Sequence, residues 1–289
     1  MFGTYVAGIS FADDVAHLSV FKARKNSVKL KFLAEYPRNG PGDLWFLDGL
    51  LAGKEKILRK VSRAAIAVDG AASFVHCFPS DSSLNAQEEQ DQISWELSNF
   101  IPMFNADEYT REKHLLQTHA HRQYSHLLIV AYKKTFLERA RGALREKEID
   151  LANSGTNHFG AQHALLINNP EIKTKAVALV HVMKNRIEVG VINRGRLVHY
   201  SSASFTSAER ALEALRPAID SFPVSEIYFH GSEVTKELLA EAKAGFSSSI
   251  IALNPFKDLD VASSFREFDS YAGKEHRFAA AVGSALHDR

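Results

Sequence analysis

Short runs of β-branched and aromatic residues, separated by turn-prone polar stretches, open the chain. They are TYVAGISF (Thr4 to Phe11), VAHLSVFK (Val15 to Lys22) and VKLKFLAEY (Val28 to Tyr36), with ADD at 12–14 and ARKNS at 23–27 between them. This pattern predicts a three-stranded meander. A similar unit returns later as KAVALVHV (Lys175 to Val182), RIEVGVI (Arg186 to Ile192) and RLVHYSSAS (Arg196 to Ser204), with turns at MKN and NRG. Each meander leads to a predicted helix and then a buried strand. These are Leu44 to Lys60 followed by AAIAV, and Ala208 to Ile219 followed by EIYFH. A repeated β-β-β-α-β unit is the main organising feature.

Between the copies the texture changes. Residues 73–150 read as an insertion of order β-α-β-β-α. The strand SFVHCF is followed by the acidic helix NAQEEQDQISWELSNFIP, two extended segments at 108–118 and 123–131, and a basic helix at 135–147. Ile93, Leu97 and Phe100 share one side of the acidic helix, and Pro102 stops it. A loop and helix from Thr156 to Leu166 precede the second meander. A helix at 234–244, a short strand in SSSIIALNPF and a last helix with Phe278, Val282 and Leu286 on one face complete the chain. The expected division is a first lobe at 1–72, the insertion at 73–150, a return at 151–170, a second lobe at 171–264 and a closing segment at 265–289.

Composition narrows the classes. The 289 residues allow a substantial core, and 45% hydrophobic with 24% charged residues is ordinary for a globular chain. A net charge of +1 argues against a dominant attraction to nucleic acid. No apolar run reaches the roughly 20 residues that cross a bilayer, and the first residues lack signal-peptide features. The lone Cys77 fits a reducing compartment. A cytoplasmic protein is expected, reaching a membrane only through another molecule.

Four ordered segments carry a family resemblance. EEQDQISWELSNFIP (Glu88 to Pro102), LLIVAYKKTFLERARGALREKEID (Leu127 to Asp150), LNPF (Leu253 to Phe256) and RFAAAVGSAL (Arg277 to Leu286) resemble motifs of the PilM family. That family belongs to the actin-like ATPase superfamily and acts in type IV pilus assembly. The resemblance implies a two-lobed α/β fold of the duplicated actin-like (ribonuclease H-like) type, with a small α+β subdomain inserted in the first lobe. It also implies a scaffold on the cytoplasmic face of the inner membrane that receives the short tail of a bitopic protein, PilN, between the first lobe and the insertion. Trp95, Phe100, Ile101 and Pro102 are then expected to shape the insertion and its groove. The fold can polymerise, so a homo-oligomer is compatible with it.

In the superfamily the meander turns clasp nucleotide phosphates through glycine and serine backbone N–H groups, and aspartates orient Mg²⁺. Here the first loop reads G-I-S-F-A-D-D-V, with Ser10 for the aspartate, Ala12 for the glycine, and Asp13 and Asp14 facing phosphate. Two like charges 4 Å apart repel by about 4 kcal/mol at an effective dielectric near 20. The second loop, H-V-M-K-N-R-I, has His181 for the aspartate and Met183 for the glycine, followed by Lys184 and Asn185. The adenosine motif reads H-G-S-E-V and keeps Gly231, followed by Ser232 and Glu233. These departures imply a pseudo-ATPase with no cofactor. The competing expectation is an Mg-ATP-binding protein using Asp13, Asp14, Lys184 and Asn185; an orphan paralogue with a partner outside pili is a third.

Other candidates have simpler readings. Asp13 and Asp14 suit a hairpin turn as well as a metal. His114, His119, His121 and His126 are dense, yet match no closed zinc pattern. Cys77 reads as a buried thiol, and Ser154 in ANSGTNHFG lacks a G-x-S-x-G elbow. Arg139, Arg141, Arg145 and Lys147 alternate with glutamates and read as a solvated face. Trp95 and Phe100 sit on an amphipathic helix, where core burial is the default.

Overall fold

The computed structural model describes residues 4–12, 14–25, 27–37, 56–68, 73–118 and 124–287. The predicted helix at 44–60 lies largely outside them; its described end, Leu58–Lys60, is a single 3₁₀ turn. Asp13, His119 and His121 also lie outside the described residues.

The first meander forms β1 (Thr4–Phe11), β2 (Val15–Arg24) and β3 (Ser27–Pro37), followed by β4 (Val61–Val68). The inserted unit is β5 (Ser73–Asp81), α1 (Ala86–Phe100), β6 (Tyr109–Thr118), β7 (Tyr124–Lys133) and α2 (Lys134–Arg145). Then come β8 (Asp150–Thr156) and α3 (Asn157–Asn168). The second meander is β9 (Ala176–Val182), β10 (Arg186–Asn193) and β11 (Arg196–Ser204). It is followed by α4 (Ala208–Asp220), β12 (Glu226–His230), α5 (Lys236–Gly245) and β13 (Ser249–Ala252). The chain ends in β14 (Asp260–Val261) and α6 (Ala279–Ala285).

The duplication expected from the two meanders is visible in the sheets. One has the order β14-β3-β2-β1-β4-β8 and the other β11-β10-β9-β12-β13. In both, the meander is antiparallel and its first strand pairs in parallel with the strand after it. The insertion forms its own antiparallel sheet, β5-β7-β6. Strand β8 has no counterpart in the sequence pattern, because Asn153, Ser154 and Gly155 lack strand propensity. Pairing to the buried β4 holds it extended.

Strand alternation gives each large sheet two buried faces. Ile9, Leu18 and Ile66 pack against Phe136, Leu137 and Ala140 of α2, while Val180, Val189 and Phe229 pack against α4 and α5. The opposite faces meet a shared layer made by α3 and α6. Leu165 of α3 joins Leu179 and Tyr228, and Val282 of α6 joins Phe21 and Leu30. A Cβ on Gly283 would overlap the carbonyl of Gly160, and one on Gly8 would overlap the carbonyl of Ala281. Both glycines are set by this close approach. The three apolar positions predicted to share one face of the last helix, Phe278, Val282 and Leu286, are all buried.

On the acidic helix Ile93 and Leu97 pack against the small sheet. Phe100 and Trp95 depart from core burial: they are 55% and 63% exposed. Phe100 leans on Phe74 and His76 at the rim of the small sheet instead.

Candidate functional site

Two places that gather polar groups bear on the expected sites. The first is the seam between the lobes, where the nucleotide loops of the resemblance fall. Strand register builds it in rows. Ser10 of β1 pairs with His17 of β2, and His17 with Glu35 of β3. In the second lobe His230 of β12 pairs with His181 of β9, and His181 with Glu188 of β10. Each lobe thus carries one histidine–glutamate pair, 3.5 Å in the first and 3.3 Å in the second. The rings of His181 and His230 stack with centroids 4.5 Å apart.

His158, at the start of α3, closes the seam from the side. It sits over Gly190, where a Cβ would overlap its ring, and edge-on to Tyr200. Burial pushes its pKa down to about 4. Burial likewise lowers His230, with the neighbouring histidines adding to the shift, and lowers His276. Glu188 is held at about 2: burial opposes its charge, but the hydrogen bond from His181 and nearby cations outweigh it. Arg186 lies 3.1 Å from its carboxylate.

Ser10, Ala12, His181, Gly231 and Ser232 line one void together with His17, Asn157, His230 and Arg277. It measures about 10 Å³, the room of about one water molecule. Gly231 adopts φ of 113° and takes the Nδ1 side of His276 against its carbonyl at 3.1 Å. Asn157 donates to the carbonyl of Phe11, tying α3 to the first lobe. Met183 is buried beside the β9–β10 turn, Lys184 and Asn185 are exposed beyond it, and exposed Asp14 does not line the void.

The second place is a groove between the first lobe and the insertion. Its floor is made of small residues, Ala65 of β4, Ser154 and Gly155 of β8, Gly160 of α3 and Ser284 of α6. Glu112 and His114 of β6 form the facing wall, where the His114 ring stacks on Phe159 at 4.7 Å, while the Lys113 side chain turns to α1 and pairs with Glu89 at 2.7 Å. The volume is about 360 Å³. A second hollow of about 210 Å³ shares Ala65, Asn153 and Ser284 and extends the groove across β1. Both β8 and β6 are terminal strands of their sheets. Trp95, Phe100, Ile101 and Pro102 do not line this groove; α1 packs on the other face of the small sheet.

Pattern reading did not single out Glu112, Phe159 or the β8 edge, and it weighed His114 only as a metal ligand. Ser154 carried a signal there as a nucleophile candidate. Among the described residues no cluster of histidine, cysteine and carboxylate groups is arranged to hold a metal ion. Cys77 is half-buried, and desolvation raises its pKa.

No protein-family model matches the sequence, and no curated protein matches it. Solved structures do. A PilM-PilN type IV pilus biogenesis complex matches with a TM-score of 0.73 and 15% identity over 98% of each chain. The fold is actin-like. A Bacteroides thetaiotaomicron protein with an actin-like ATPase fold and unknown function also matches. Its TM-score is 0.57 at 13% identity, over 87% of this chain and 91% of that one. Identities this low establish the fold alone. No helix among the described residues is long and apolar enough to cross a membrane.

Proposed function

We propose that this chain is a PilM-like scaffold that holds a short extended segment of a bitopic inner-membrane protein and does not turn over ATP. The observation that carries the reading is the groove of about 360 Å³ between β8 and β6. Two terminal strands meet there, β8 on the floor and β6 on the wall, and the outer edge of a terminal strand can offer main-chain hydrogen bonds to an added strand. Its floor of alanine, glycine and serine leaves room for a backbone to lie close. The similar solved structure is a complex of PilM with PilN, which supports a PilN-like tail as occupant and a pilus or related assembly as setting. A location beside the inner membrane follows from that partner.

The seam supports the non-enzymatic part of the reading. A small-molecule site usually offers about 300–1,000 Å³, whereas the void at the two loops is about 10 Å³. His181, His230 and Arg277 line that small void, at the loops where the resemblance would put the phosphates.

Site-directed photo-crosslinking in the native host tests the partner claim. A photoreactive side chain at Glu112 or Ser154 is expected to join a membrane protein through its cytoplasmic tail. Adducts from Trp95 with none from either groove position would contradict it.

A further inference from the structure

The seam holds more buried imidazole than a static filler needs. We infer that it is an acid-sensitive latch, which holds the two lobes together near neutral pH and releases them when His158 and His230 take up protons.

The geometry supports this in three ways. First, the histidines come from both sides of the interface: His17 from the first lobe, His181 and His230 from the second, and His158 from the helix between them. Second, several of their ring nitrogens have no hydrogen-bond partner. Both nitrogens of His158 and Nε2 of His230 are buried without one. A neutral ring tolerates this at modest cost, whereas a buried cation without an acceptor is strongly disfavoured. Third, the rings face one another. His230 stacks on His181, with the His158 ring 6.2 Å away, so a second proton would meet the first at short range.

The surrounding charges do not offset that repulsion. From β10, Glu188 favours a charge on His158 but burial outweighs it, and the carboxylate is already engaged by His181 and Arg186. From β11, Tyr200 meets His158 with its ring edge-on. From the C-terminal segment His276 faces Gly231 and the cations Lys274 and Arg277 lie beyond it, with Glu275 alongside. In the first lobe Glu35 is shared between His17 and Arg277. Protonation therefore adds positive charge to a seam whose carboxylates are already paired. Separating the lobes returns the imidazoles to water, where they ionise at their ordinary value.

The expected size follows from linkage. With His158 at about 4 in the closed seam against about 6.5 in water, its protonation alone shifts the open-to-closed ratio about tenfold at about pH 5.5. His230 adds in the same direction.

Small-angle scattering and far-ultraviolet circular dichroism, recorded from about pH 8 to about pH 5, test the latch. The radius of gyration of the intact chain is expected to rise below about pH 6.5 while its dichroism holds. The His158→Phe, His230→Phe double variant is expected to stay compact over that range. If it does not fold, His158→Gln alone is expected to move the transition to lower pH. A chain that stays compact throughout, a double or single variant that opens with the same midpoint as the natural chain, or loss of dichroism in step with opening would overturn the proposal.

Discussion

Gly190 and His158 show how single positions set the seam. The glycine faces α3 in a strand otherwise rich in β-branched residues, and its missing side chain is the space the imidazole ring occupies. Gly190→Val should therefore cost about 1–3 kcal/mol through overpacking, read as a lower urea midpoint at an unchanged m-value. The pH dependence of stability is argued at the same scale. His158 is lowered in the folded chain, so its stabilising contribution is present above about pH 6.5 and is lost as pH falls towards about 4. Glu188 is lowered as well, so its contribution disappears later, between about 4.5 and about 2. Thermal midpoints should decline first below about pH 6.5 and again below about 4.5. His158→Phe should remove much of the first decline and leave the second.

Among the elements, α1 and β8 make opposite cases. The sequence DSSLNAQEE contains a full capping box: Asn85 accepts from the backbone of Glu88 while the Glu88 side chain accepts from the backbone of Asn85. Asn85→Ala should destabilise the chain by about 1 kcal/mol, measurable by urea unfolding. That helix and its Ile93–Leu97 stripe were legible because cap and period agree. Its aromatic residues were not, since Trp95 and Phe100 look apolar in sequence whether they face the core or the rim. Strand β8 was illegible for the reverse reason: the pairing with β4 decides its conformation, not its own residues. It also forms the groove, where Gly155 has open space at its Cβ position. Gly155→Leu should fold with a nearly unchanged thermal midpoint yet abolish crosslinking from Glu112, because its side chain would occupy the groove.

At the scale of the molecule, the duplicated topology was legible because the two meanders repeat the same order of three short strands separated by polar turns. The equivalence of Ser10 and His181 was readable too: each lies one residue before the end of its strand, β1 and β9. What filled the space was not readable. His17, His158, His230 and His276 come from four separate stretches, and only the fold brings them together. The closed seam and the open groove then divide the molecule into a joint that is shut near neutral pH and a working surface. The most direct measurement is a thermal shift with Mg-ATP, at a concentration that would saturate an actin-like site. A ligand at 100 times its dissociation constant stabilises a folded chain by about 2.7 kcal/mol. The closed seam predicts an unchanged midpoint at pH 7.5 or so, and a clear rise would contradict it.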